Sequence, residues 1–264
     1  MKLEFFCPRW GSDDIVWPAF FQKVKAAGYD GIEWAIPSTV SEWVLEEVFN
    51  LSVRHEMPII AQHFDTDEPN FYRHLEKYCA WLDRIQFYPT LKINSQTGKD
   101  YFTMDQNLLL IEAAGWEVLH ETHRNKFSFA CHLTAEYLEC RPSLRLTLDV
   151  SHWVCVAESF LQDQSDALAL AISRTDHLHA RIGFPEGPQV VDPRVAEWQE
   201  ALEHHLMWWD RVAARFRDTG QTLTVTPEAG PFPYMVCLPK TCQPIADQWE
   251  INEWMMGVLK KRYS

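Results

Sequence analysis

LTLDVSHW, Leu146 to Trp153, reads as a short buried strand that ends abruptly in functional side chains. Leu146, Leu148 and Val150 alternate with Thr147 and Asp149, and a period of two sets Asp149 on the face opposite the leucines. His152 follows the aspartate by three residues, just past the strand end. A carboxylate and an imidazole at a strand terminus suit a metal ion or sugar hydroxyls. The plainer role for an aspartate in that place is a helix cap or a turn. What adds weight to the first reading is that other strands of the chain end in the same way.

Working outward, the chain alternates short apolar runs with amphipathic ones. Strands are predicted at Leu3 to Cys7, Gly31 to Trp34, Pro58 to His63, Leu91 to Ser95, Trp116 to Glu121, Arg145 to Asp149, His177 to Ile182 and Thr222 to Thr226. Each is followed by a helical pattern, such as Ser41 to Val53, or Asn70 to Asp83 with Phe71, Leu75, Tyr78 and Leu82 on one face. The helix after the fourth strand, about Met104 to Ala114, is short for covering a barrel strand, and the last runs from about Ile245 to Tyr263. Alternation of this kind means a parallel sheet. Eight units in 264 residues, with no composition break or linker, predict a single-domain (β/α)8 TIM barrel spanning 1–264. An open doubly wound sheet would usually carry a glycine-rich phosphate loop after its first strand, which FCPRWG is not.

In such a barrel the chemistry sits where strands run into the following loops. Strand five delivers Glu121, strand six Asp149 and His152, strand seven His179, and strand eight Glu228. In strand seven His177, His179 and Arg181 share one face; in strand eight Thr222, Thr224 and Thr226 oppose Leu223 and Val225, so the polar faces are predicted to meet the lumen. Carboxylates crowded in a confined site cannot all stay ionised without a cation. One divalent metal resolves the conflict, and three oxygen ligands with one nitrogen suit manganese, magnesium or cobalt better than the thiolate-rich site typical of zinc, which stays an option. A competing reading pairs Glu121 and Glu228 with Arg124 and Arg181 as structural ion pairs and makes the histidines hydrogen-bonded core residues. Glu33 and Asp100 read as capping or solvated residues. His63, at the end of strand three, is divided between substrate contact and structure, and Trp10, Trp34 and Trp153 are candidates to line a sugar site. The tryptophans at 208, 209, 249 and 254 have helical spacing and fit outer-shell packing or a subunit contact, leaving room for a homo-oligomer.

Composition narrows the partners. Lys and Arg number 24 against 37 Asp and Glu, a net charge of -13, which disfavours a phosphate backbone or an anionic membrane surface. The 7 cysteines lack a CxxC or framework spacing, so reduced thiols in a cytoplasm-like compartment are expected. There is no long apolar run, and a soluble, cytoplasmic protein that binds neither nucleic acid nor membrane follows as the expectation.

These residues resemble the xylose isomerase-like TIM barrels, which include sugar phosphate isomerases/epimerases and ketose 3-epimerases, over nearly the whole chain. The resemblance implies a divalent metal held by Glu121, Asp149, His179 and Glu228, and a substrate contact by His152, the histidine three residues after the aspartate. It also implies that Glu121 and Glu228 form the acid/base pair. The family's arginine on the loop after the seventh-strand histidine is not matched in register; GFPEGPQV, Gly183 to Val190, stands there instead. The expected activity is isomerisation or epimerisation of a sugar or sugar derivative through an enediolate, with His152, His179 and Arg181 orienting hydroxyls and Arg124 meeting an anionic substituent. The alternatives are an inosose-type dehydratase or lyase, an endonuclease of the endonuclease IV type, against which the charge argues, and a catalytically idle sugar-binding protein.

Overall fold

The computed structural model describes all 264 residues. The chain runs β1 (Lys2–Pro8), α1 (Trp17–Ala26), β2 (Gly31–Ala35), α2 (Glu42–His55), β3 (Ile59–His63), α3 (Phe71–Ile85), β4 (Thr90–Ser95), α4 (Met104–Ala114) and β5 (Val118–Glu121). It continues through α5 (Cys131–Cys140), β6 (Arg145–Leu148), α6 (Val150–Ala157), α7 (Ser165–Ser173), β7 (Thr175–His179), α8 (Gln199–Thr219), β8 (Thr222–Thr226) and α9 (Gln248–Tyr263). Every strand pairs in parallel with its sequence neighbour, and β1 also pairs with β8, so the sheet closes into the expected TIM barrel.

Alternation along the strands sorts the side chains into two environments. Phe5, Ile32, Ile59, Ala61, Leu146, Leu148, Leu178, Leu223 and Val225 all belong to one continuous apolar core between the strands and the helix ring. Fully burying side chains of this size stabilises by roughly 1.5–3 kcal/mol each relative to exposure. The opposite faces fill the lumen with Glu33, Asn94, His177, His179, Thr224 and Thr226, all buried and joined by hydrogen bonds. Trp208 and Trp209 pack in the apolar core, with Trp249 and Trp254 against it half-buried.

Among the differences from the sequence reading, three have a clear local reason. β5 begins at Val118, because Trp116 lies out in solvent. β7 ends at His179; the Ala180 N–H still reaches Thr226 O, and the backbone then turns to pair with the loop at Val190. The extra helix α6 starts directly after β6 because Asp149 caps it, accepting the Ser151 N–H at 3.0 Å, and Glu158 ends it in the left-handed conformation. The short α4 is present as expected, closed at its start by a reciprocal Thr103–Gln106 capping box. All seven cysteines are unpaired, and no helix is long and apolar enough to cross a membrane.

Candidate active site

The four strand-end residues meet. Glu121 is the last residue of β5, Asp149 the first after β6, His179 the last of β7, and Glu228 lies just past β8. One ligand atom from each of the four lies within 4.8 Å of the others, and all four residues are buried. Three of the buried atoms, Glu121 Oε1, His179 Nδ1 and Glu228 Oε2, make no aligned hydrogen bond, although they lie close to charged neighbours. Such orphans are rare in folded proteins and commonly mark a missing ion or water. The other oxygen of Glu121 is fixed from β3, where Gln62 Nε2 donates to Oε2 at 2.9 Å.

Asp149 does both things its sequence allowed. Oδ1 caps α6 and accepts from the Ser151 hydroxyl, while Oδ2 turns to the cluster and pairs with Arg181. Arg181 also lies 3.2 Å from Glu228 Oε2 and 2.9 Å from His152 Nε2. Its charge is held up above the ordinary guanidinium value: burial opposes it, but Asp149 and Glu228 outweigh burial. Arg181 thus makes the ion pair with Glu228 that the competing reading named, whereas Arg124 turns to His152 Nδ1 at 3.1 Å and to the Tyr234 ring.

Behind the cluster stands Glu33, whose carboxylate lies 3.0 Å from His179 Nε2 and 3.1 Å from His177 Nε2, with Asn94 Nδ2 donating at 3.0 Å. This assigns the proton to His179 Nε2 and aims Nδ1 into the cluster, 2.9 Å from Glu228 Oε2 and 3.6 Å from Glu121 Oε1. A carboxylate behind a histidine is the arrangement that orients imidazole toward a metal. Among protein groups alone, burial works against charge on His179, yet Glu228, Glu33 and Glu121 outweigh it and raise its pKa well above the usual value. Burial pushes Glu228 above the usual carboxylate range, while for Glu121 it is overcome by His179 and the pKa is held at about 2.

A cavity of about 410 Å³ opens onto the cluster, lined among others by Arg9, Trp10, Gln62, His123, Glu121, Arg181, Glu228 and Tyr234. Of the expected substrate residues, Trp10 and Arg181 reach it. His152 is wholly buried behind Arg181 and stays neutral, since burial, with His123 and Arg181 nearby, holds its pKa well below the ordinary value. His63 stands back from the cavity with both nitrogens spent, Nε2 with Thr66 Oγ1 at 2.7 Å and Nδ1 with Ser95 Oγ at 3.3 Å. Trp34 packs edge-to-face against Trp17 in the core, and Trp153 is wholly buried with Nε1 donating to Ser128 O at 2.7 Å. Glu33 is neither a cap nor a solvated residue but lies 2 % exposed in the lumen, a correction that its setting between Ile32 and Trp34 in GIEWA signals by period. Gln62, alternating with Ala61 in β3, carries the same signal; Tyr234, in an irregular loop, carries none.

No family model matches the chain, and no curated protein matches it. Among solved structures it is similar to AsbF from Bacillus anthracis, provisionally named a 3-DHS dehydratase involved in petrobactin synthesis, with 18% identity, a TM-score of 0.60, and coverage of 99% of this chain and 100% of that one. A structure designated AsfvAP:AG shares 11% identity at a TM-score of 0.60, covering 100% of this chain and 99% of the other. A protein from Anabaena variabilis with the provisional name sugar phosphate isomerase/epimerase shares 12% identity at 0.53, covering 99% and 98%. At these identities the likeness is one of fold, and the barrel implied by the resemblance to xylose isomerase-like proteins is the fold observed.

Proposed function

We propose that the chain is a divalent-metal-dependent isomerase or epimerase of a sugar or sugar derivative, working by proton transfer beside a carbonyl. The observation that carries this is the convergence of three buried ligand atoms that make no aligned hydrogen bond, Glu121 Oε1, His179 Nδ1 and Glu228 Oε2, beside Asp149 at an open cavity. Three carboxylates against the single guanidinium of Arg181 leave two negative charges once His179 gives up its extra proton to act as a ligand, and a divalent ion balances them. Glu121, Asp149, His179 and Glu228 would hold that ion, and manganese, magnesium or cobalt suits the donor set. When bound, it supplies Lewis-acid polarisation of a substrate carbonyl and the adjacent hydroxyl.

The chain's own groups do the rest. Glu121 and Glu228, from β5 and β8, would remove a proton from the carbon beside the carbonyl and return it, passing through an enediolate. Gln62 keeps Glu121 from rotating, and Arg181 steadies Glu228. Arg181 itself is locked by Asp149, by His152 and by the face of Tyr234, 4.8 Å from its guanidinium carbon, so that its remaining donors orient hydroxyls. Arg124, on the same tyrosine, backs His152. Trp10 offers an apolar wall to sugar C–H groups.

The test is proton exchange. With manganese or magnesium added, in deuterium oxide, a panel of aldoses and ketoses should yield a substrate that gains deuterium beside its carbonyl as it isomerises or epimerises. Release of water from the product would place the chain with the dehydratases or lyases on the same residues. No ion bound and no exchange with any sugar would leave an idle sugar-binding protein and overturn the proposal.

A further inference from the structure

Arg9 follows the last residue of β1 and is 7 % exposed. Its guanidinium is clasped by two aromatic rings, 4.2 Å from the centroid of Trp17 and 4.6 Å from that of Phe20. Nη2 donates to the carbonyl oxygens of Asp13 at 3.3 Å and Ile15 at 2.6 Å. Nη1 has no acceptor at all. Asp13 and Asp14 act on the charge only through space, and neither forms an ion pair with it.

Arg9 and Arg181 are the two arginines that line the 410 Å³ cavity, and they differ sharply. Arg181 is matched by Asp149 and Glu228. Arg9 is matched by no carboxylate, although burying an unpaired cation is costly. Aromatic faces and carbonyl oxygens repay only part of that cost, and a guanidinium with a free N–H is suited to an oxyanion. Its place in the ring also matters: β1 lies across the closed barrel from β5, which carries Glu121. A ligand spanning the cavity would put one end at Glu121 and the other at Arg9. Of the carboxylates on the wall, Asp13 is the one beside Arg9, and it is exposed, where water and salt screen it.

We propose that Arg9 is a subsite for an oxyanion, a carboxylate or a phosphate, at the end of the substrate remote from the reacting carbon. This rests on reading the cavity as a sugar site, and it narrows the substrate class to sugar derivatives that carry a negative charge. Arg9 binds and orients that group and takes no part in proton transfer.

Calorimetric titration of the full chain with D-gluconate, D-glucose 6-phosphate and D-glucose tests it. At least one anion should bind about 10- to 100-fold more tightly than glucose, the range expected for a charge-assisted hydrogen bond in a buried setting. Preference for gluconate would name a carboxylate, and preference for the phosphate a phosphoryl group. Arg9→Gln should abolish the preference, while Arg9→Lys should keep part of it. The wild-type ratio of anion to neutral sugar needs no variant, so misfolding of a substituted chain cannot rescue the idea. Failure of both anions to bind more tightly than glucose, or the full preference surviving in Arg9→Gln, would overturn it. A separate manganese titration keeps the two readings apart: an anion preference without metal binding would sink the isomerase proposal and leave the Arg9 subsite standing.

Discussion

Glu33 Oε1 lies 3.0 Å from Nε2 of His179, and through that contact β2 determines which nitrogen β7 turns toward the cavity. The same carboxylate reaches His177 at 3.1 Å and takes a hydrogen bond from the Thr226 hydroxyl, so three strands are tied at one point in the lumen. Burial alone would raise the Glu33 pKa, but His179 and His177 outweigh it and hold the group well below the usual carboxylate range. It is therefore ionised and an acceptor.

The first prediction concerns that contact. Glu33→Gln keeps the shape but loses the charge that fixes the imidazole, and loss of such an outer partner commonly weakens a metal by about 10- to 100-fold. Manganese titration of the variant should show a loss of that size with the fold intact by circular dichroism. Wild-type affinity would mean that His179 is oriented by other means.

Asp149 allows its two roles to be separated. Asn caps a helix about as well as Asp, so Asp149→Asn should keep the cap while removing the charge opposite Arg181 and weakening the metal, and its stability should fall only by the loss of that buried ion pair. Asp149→Ala should lose both, with an added cost of about 1 kcal/mol from the cap. Denaturant unfolding beside metal titration reads the two effects independently, and equal stabilities for the Asn and Ala variants would remove the cap from the account.

Glu121 and Glu228 are predicted to matter for turnover more than for binding. Replacing either with Gln keeps an oxygen donor and removes the proton acceptor, so kcat on an accepted sugar should fall on the order of 100- to 10,000-fold. Metal occupancy, measured on the same samples, should change far less. Metal-loaded glutamine variants that turn over at the wild-type rate would limit these residues to a ligand or structural part.

How much of this was legible in the sequence depends on how local its cause is. The alternation in LTLDV, HLH and TLTVT places each side chain inward or outward within a few residues, and those placements match the structure. Glu33 was hidden because its partners are 144 and 146 residues away, and nothing near it distinguishes a lumen carboxylate from a cap except the apolar residues on each side. α6 was missed because VSHWVCVA is rich in β-branched and aromatic residues that favour strands, and the cap at Asp149 with burial of Trp153 overrides that preference. Arg9 and Tyr234 owe their positions to loops, where periodicity carries no information. His63 ends its strand as a ligand would, but Thr66 and Ser95 absorb both its nitrogens.

The last prediction concerns acid. His205 on α8 donates Nδ1–H to Ala201 O at 2.8 Å and accepts the Gly183 N–H at Nε2 at 3.2 Å, so protonation would set one N–H against another just beyond β7. Burial, only partly offset by the Ala201 carbonyl, lowers its pKa to about 4, and burial likewise holds His120 at about 3. In the unfolded chain both return to the ordinary histidine value near 6.5. Their folded pKa values are depressed, so above about 6.5 neither state takes up the proton and stability is unaffected. As pH falls from there toward 4, the unfolded chain binds protons that the folded one refuses, and stability drops by about 1.4 kcal/mol per pH unit for each histidine. Near pH 5 that amounts to roughly 2 kcal/mol apiece. Urea unfolding of metal-free protein between about pH 7 and pH 5 should show the decline, and His205→Gln, which can still accept from Gly183, should flatten it by one histidine's share. An unchanged slope in that variant would mean that His205 is not protonated on unfolding in this range.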